Sequence, residues 1–134
     1  MNWRFGSQME PDAAQNPLFV FAGGGTGGHL FPGIAVGEAL KELVPDSRIL
    51  FLHTGRPVEE SVLADAGFET LFIPPIRTRD LLKHPLRFAS AFLKATRECK
   101  RIVKDRQPAA IIGLGGVASV PLIRVARNRT VVLL

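Results

Sequence analysis

The sequence predicts an α/β fold, a doubly wound parallel sheet with helices on both faces. Three observations carry that prediction. Short apolar runs alternate along the chain with segments of helical pattern, which implies a parallel sheet joined by right-handed crossovers. The runs are continuously apolar, as at residues 49–52, which suits strands covered on both faces. Two glycine-rich turns, at residues 23–28 and 113–116, each follow a strand and precede a helix. Doubly wound sheets place such turns at their ligand-binding end.

The elements follow in order. Residues 1–17 are polar, hold Pro11 and Pro17 and lack periodicity, so they are expected to form a mobile extension. They contain no apolar segment of the kind a signal peptide needs. Residues 18–21, LFVF, form the first strand. The loop Gly23-Gly24-Gly25-Thr26-Gly27-Gly28 comes next, with His29 directly after it. The first helix is expected from Pro32 to Leu43. Proline suits a first turn, where its missing N–H is not needed, and Ile34, Val36, Ala39, Leu40 and Leu43 give an apolar side.

Residues 48–54 form the second strand and residues 57–66 a helix closed by Gly67. Glu59 and Glu60 lie in its first turn, where acids complement the helix dipole, so neither needs a catalytic role. Residues 69–73 are the third strand, stopped by Pro74-Pro75. A loop or short turn over residues 76–84 leads into a long helix, residues 85–106, with Ala89, Leu93, Thr96 and Val103 expected to face the sheet. Residues 109–114 form the fourth strand, Gly113, Gly115 and Gly116 a second glycine loop, residues 118–126 a short helix and residues 130–134 a fifth strand. A strand order of 3-2-1-4-5 sets both glycine loops beside the topological switch point of one Rossmann-like domain, residues 18–134.

Composition sets bounds on function. At 134 residues with 46% apolar content, the chain suits a single globular domain. No apolar run approaches the roughly 20 residues that span a bilayer. The lone Cys99 forms no internal disulfide and suits a reducing compartment. No group of Cys, His and carboxylates has metal-ligand spacing, so no metal is expected.

The net charge of +5 is unevenly placed, for residues 77–106 hold ten Lys/Arg against three Asp/Glu. In that segment Leu81, Leu82, Phe88 and Phe92 are interleaved with Arg77, Arg79, Lys83 and Arg87. Two readings stand. The segment docks on an anionic membrane surface, which an apolar patch with a basic rim would do, or it is a core helix with a solvated basic face. No nucleic-acid partner is expected.

The first glycine loop has three readings. Gly23, Gly25 and Gly28 fit the dinucleotide pattern, but no acidic residue follows the second strand until Glu59. A P-loop needs Lys and then Ser or Thr after the last glycine, where His29 and Leu30 stand. Third, GGGTGGHLFPG, with GLGGVASVP at residues 113–121, resembles the bacterial glycosyltransferases that add N-acetylglucosamine to the undecaprenyl-diphosphate-linked muramyl-pentapeptide of peptidoglycan, glycosyltransferase family 28. Val117 stands where that family typically has an aromatic residue.

The resemblance covers residues 18–134 and implies the N-terminal half of an inverting GT-B transferase. That half binds the lipid-linked diphosphate acceptor at the cytoplasmic face of the membrane, as a peripheral protein. UDP-N-acetylglucosamine is the donor, held mostly by a C-terminal domain that this chain lacks, and no cofactor or essential metal takes part. An alternative is a non-catalytic, membrane-associated acceptor-binding subunit that recruits a separate catalytic chain.

Backbone donors at Gly24, Gly25, Gly27, Gly28, Gly115 and Gly116, with the hydroxyl of Thr26, are expected to cradle the diphosphate. Ser119 either adds a donor or caps the helix that follows. His29 is expected to be the general base that takes the acceptor hydroxyl's proton, since histidine ordinarily titrates near neutrality. Alternatively His29 donates to a phosphate or caps its helix.

Overall fold

The structure, a computed structural model, describes residues 16–23, 27–126 and 129–134. The expected extension over residues 1–15 and the loop residues Gly24, Gly25 and Thr26 lie outside the described residues. Five strands, β1 (Leu18–Ala22), β2 (Arg48–His53), β3 (Glu69–Phe72), β4 (Ala110–Gly113) and β5 (Thr130–Leu133), form one sheet in the order β3-β2-β1-β4-β5. All its neighbouring pairs are parallel. Val20 at the centre of β1 lies opposite Leu50 on one side and Ile111 on the other.

Side chains alternate between the two faces, as the period of a strand requires. Leu18, Val20 and Ala22 join Leu50, Leu52 and Ile111 on one face. There they meet Cys99 and Ile102 of α4 (Pro85–Arg106) and Leu122 of α5 (Val120–Val125). Phe21 joins Ile49, Phe51 and Ile112 on the other, against Leu30 of α1 (Gly27–Leu43) and Leu63 of α2 (Pro57–Ala66). The rings of Phe21 and Phe51 stack there with centroids 4.7 Å apart. Both faces are therefore dry in the middle of the sheet, which is why β1, β2 and β4 read as unbroken apolar runs.

Three expectations are corrected. The first helix starts at Gly27, so Pro32 sits inside α1 and not in its first turn. Proline costs less there than in mid-helix, because the one bond it deletes belongs to an end that is already short of partners. Close packing holds the helix in place: a Cβ on Gly33 would lie 2.5 Å from Leu114 Cδ1.

The sheet-facing stripe of α4 is the second correction. It runs through Ala95, Cys99 and Ile102, with Val103 packed against the same core as expected, while Ala89 and Leu93 are exposed and Thr96 is half-buried. The small side chains at 95 and 99 let the helix approach the sheet, and Phe88 and Phe92 continue the same stripe towards its N-terminus. Third, the expected helix over residues 118–126 is a 3-10 turn, Val117–Ser119, followed by the short α5. The four-residue α3 (Asp80–Lys83) falls within the expected short turn.

Cys99 is fully buried in this core. Burial, aided by the negative charge of Glu98, pushes its thiol from an ordinary 9.0 up to about 12. A group whose folded value is raised adds stability that is complete below the unfolded value and is lost as pH rises towards the folded one. Urea titrations from about pH 9 upward are therefore expected to show wild-type stability falling faster than that of Cys99→Ala, by at most about 1.4 kcal/mol per pH unit.

Candidate functional site

The carboxyl ends of β1 to β4 open into a cavity of about 670 Å³. One wall is His29 with Gly116, Val117 and Ala118; the other is Thr54 and Arg56 after β2, with residues 75–79 after β3. This is the crevice that a doubly wound sheet forms at its switch point.

Close backbone approach builds the first wall. The Leu114 N–H donates to the Ala22 carbonyl at 2.8 Å, which carries the β1–β4 pairing past the end of β4. A Cβ on Gly23 would lie 2.5 Å from Leu114 Cβ and 3.1 Å from its Cα, so no side chain fits at 23. Gly115 and Gly116 then turn the chain at φ of 90° and 75°, a region that L side chains rarely adopt. The ring of His29, third residue of α1, lies against this turn: a Cβ on Gly115 would be 3.5 Å from its Nδ1. The imidazole is otherwise exposed to the cavity. Gly27 and Gly28 form the start of α1 beside it, where backbone N–H groups have no intrahelical acceptor.

The second wall depends on Glu59, which is 5% exposed. Its Oε2 accepts from the Thr54 backbone N–H and the Thr54 hydroxyl, both at 2.9 Å, and from the Arg56 N–H at 3.3 Å. One carboxylate thus fixes the turn that carries two cavity-lining residues. His53 closes the same turn, its Nδ1 accepting from the Gly55 N–H at 3.2 Å. That bond assigns the ring proton to Nε2, so the 4.0 Å approach of Glu60 Oε1 to Nδ1 is not an ion pair in this form.

The structure brings His29 and Gly116 together as expected and separates other residues. Ser119 neither lines the cavity nor makes a side-chain cap; it is buried, and its hydroxyl donates to the Gly116 carbonyl at 2.8 Å, holding the glycine turn from behind. Arg77 and Arg79 line the cavity. Leu81 and Leu82 are exposed on α3, whereas Phe88 and Phe92 are half-buried, with rings stacked 6.2 Å apart. Leu86, 86% exposed, joins the outer apolar surface between Lys83 and Arg87.

Sequence reasoning missed Leu86 and the cleft role of Thr54 and Arg56, and it named Arg77 and Arg79 only as the basic rim of a membrane patch. The signal was present in the predicted strand order, since the turns after β2 and β3 open on the same crevice as those after β1 and β4. Among the described residues, no group of three or more His, Cys, Asp or Glu could hold a metal ion.

Residues 19–133 match the glycosyltransferase family 28 N-terminal domain. The chain belongs to that family. This family 28 domain is 37% identical over 124 residues to the UDP-N-acetylglucosamine–N-acetylmuramyl-(pentapeptide) pyrophosphoryl-undecaprenol N-acetylglucosamine transferase of Corynebacterium jeikeium, covering 89% of this chain and 32% of the relative. It is 43% identical over 107 residues to the Lactobacillus gasseri protein of the same name, covering 75% of this chain and 28% of that one. Its fold is similar to the crystal structure of Acinetobacter baumannii MurG, with a TM-score of 0.67 at 24% identity over 90% of this chain and 34% of that one. The chain thus spans about a third of the length of the relatives it matches.

The three hydrogen bonds to Glu59 set an expectation for this family 28 domain. Glu59→Ala leaves three donors without their acceptor and should cost about 2 kcal/mol in urea unfolding. Glu59→Gln, which keeps an acceptor oxygen, should lose less.

Proposed function

We propose that this chain is the acceptor-binding half of an inverting glycosyltransferase. The reaction moves N-acetylglucosamine from UDP-N-acetylglucosamine to a lipid-diphosphate-linked muramoyl-pentapeptide. The observation that carries the reading is the first wall of the cavity, where the exposed imidazole of His29 lies against a turn of two positive-φ glycines and beside the start of α1. Backbone donors at a glycine turn and at a helix N-terminus stabilise an anion without a counter-charge. The names of the relatives supply the donor and the lipid-linked acceptor.

In this reading the diphosphate lies along Gly27, Gly28, Gly115 and Gly116, joined by Gly24, Gly25 and Thr26. His29 takes the proton from the attacking hydroxyl. Inversion requires that hydroxyl to attack from the face opposite the leaving UDP, so the base must sit on the acceptor side of the cleft; the position of His29 beside the glycine turn supports that role. The nucleotide-sugar is held by a second domain of the kind that completes the longer relatives.

Titration of the chain with farnesyl diphosphate should shift the backbone amides of Gly27 to His29 and of Gly115 and Gly116; shifts confined elsewhere would sink the reading. The base role is tested in a chimera that joins this chain to the C-terminal part of the Corynebacterium jeikeium relative. There His29→Gln, which can still donate to phosphate, should lower kcat by about 10²–10⁴-fold with the acceptor KM nearly unchanged.

The same reading places the domain on the cytoplasmic face of the membrane as a peripheral protein. No helix among the described residues is long and apolar enough to cross a bilayer. The docking surface is Leu81, Leu82 and Leu86 with Lys83 and Arg87, flanked by Arg77 and Arg79 where it meets the cleft. Phe88 and Phe92 support it from beneath. Anionic lipid is the matching occupant by charge, each basic residue contributing about 1 kcal/mol near such a surface. Leu82→Ser with Leu86→Ser should abolish sedimentation with phosphatidylglycerol vesicles while leaving the melting temperature unchanged, and Phe88→Ser should lower the melting temperature. Unaltered sedimentation of the leucine variant would move the docking surface elsewhere.

A further inference from the structure

Arg77 and Arg79 bring to the second wall of the cavity a positive charge that no described ion pair uses. Arg56, Arg77 and Arg79 all line it, and no lining residue is an aspartate or glutamate. Among the described residues, ion pairs join Arg48 and Arg106 to Glu69 and Arg101 to Glu98, and none involves Arg77 or Arg79. The nearest acid on the chain, Asp80, is buried in the first turn of α3 and does not line the cavity. Guanidinium groups facing one cavity repel one another and present forked donors that match a planar oxyanion.

The position of this wall matters as much as its charge. Arg77 and Arg79 follow β3, whereas Gly116 follows β4, and the sheet order puts β2 and β1 between them. At about 4.8 Å per strand, three spacings separate the two walls by roughly 14 Å. A diphosphate, two tetrahedra sharing one oxygen, is shorter than that. Held at the glycine wall, it leaves the arginine wall to another group.

We infer that Arg77 and Arg79 form a second oxyanion subsite that takes a carboxylate of the same ligand whose diphosphate sits at the glycine wall. The inference rests on the acceptor reading above and deepens it. The peptide of the proposed acceptor supplies carboxylates of that chemistry. Separate probes tell the two walls apart. N-Acetylmuramyl-pentapeptide carries carboxylates and no phosphate, and farnesyl diphosphate carries phosphates and no carboxylate.

The test is an amide-shift titration of the whole chain with each probe, in wild type and in Arg77→Gln/Arg79→Gln. Both positions are exposed, and the amide fingerprint reports directly that the variant is folded. The double variant should bind N-acetylmuramyl-pentapeptide about tenfold more weakly, as expected for the loss of charge-assisted bonds, with farnesyl diphosphate binding unchanged. Loss confined to farnesyl diphosphate would put the arginines on the diphosphate itself and overturn the inference. Arg77→Lys/Arg79→Lys, which keeps charge but not the fork, should recover part of the affinity.

Affinities for both probes within twofold of wild type would overturn the inference. If vesicle sedimentation alone then fell, the two arginines would belong to the membrane surface and not to the cleft. Failure of the acceptor reading looks different, because farnesyl diphosphate would then leave Gly115 and Gly116 unshifted in the wild type itself.

Discussion

The contact on which the site depends is the approach of the chain leaving β1 to the chain leaving β4. Gly23 meets Leu114 so closely that even a methyl group is excluded, and the Ala22 carbonyl is bonded to the Leu114 N–H. Because the two exits are clasped there, the turn at Gly115 and Gly116 and the first turn of α1 emerge side by side. His29 then has the neighbouring turn to rest on. Leu114 takes part twice, since its side chain also fills the space left by Gly33 of α1. Sheet pairing, helix placement and the geometry of the candidate base thus share one residue.

Charge is handled differently in the body of the domain and in its cleft. At the edge of the sheet Glu69 of β3 is held by Arg48 at 2.7 Å and Arg106 at 3.4 Å, which covers an edge strand with charge and discourages pairing with other chains. Lys41 donates to the Ser47 carbonyl and so ties the end of α1 to the start of β2. In both places a cation is balanced or bonded within the fold. Among the described residues Arg77 and Arg79 have no such partner, and both line the cavity. A protein gains no stability from like charges gathered without partners, so their placement is better explained by what enters the cavity.

Much of this was legible in the sequence, for identifiable physical reasons. Strand order and the pairing of the two glycine turns followed from alternation of elements and the rules of parallel crossovers, which depend on backbone chirality more than on any one side chain. The phase of α4 did not follow. Its apolar positions cover about half the circumference, and only the fit of Ala95 and Cys99 against the sheet decides which part faces inward. The start of α1 did not follow either: Pro32 has the pattern of a first-turn residue, whereas packing of Gly33 on Leu114 holds the helix through it. Glu59 was assigned to the dipole of α2, and its bonds to Thr54 and Arg56 show a larger task. A local pattern names the helix end and is silent on what else that carboxylate reaches.

Pro32 also divides α1 into two regimes of protection. From Gly33 onward each amide has a carbonyl four residues back to bond. In the turn before it, proline leaves the Gly28 carbonyl without that partner, and the amides of Gly27, Gly28 and His29 have none within the helix. Solvent exchange at those three amides therefore needs no opening of the helix, although they adjoin a well-packed core. A bound anion that captured them would slow deuterium uptake over a single turn and leave the sheet's exchange pattern as it was. Occupancy of this cleft thus has a local readout that requires no change of shape.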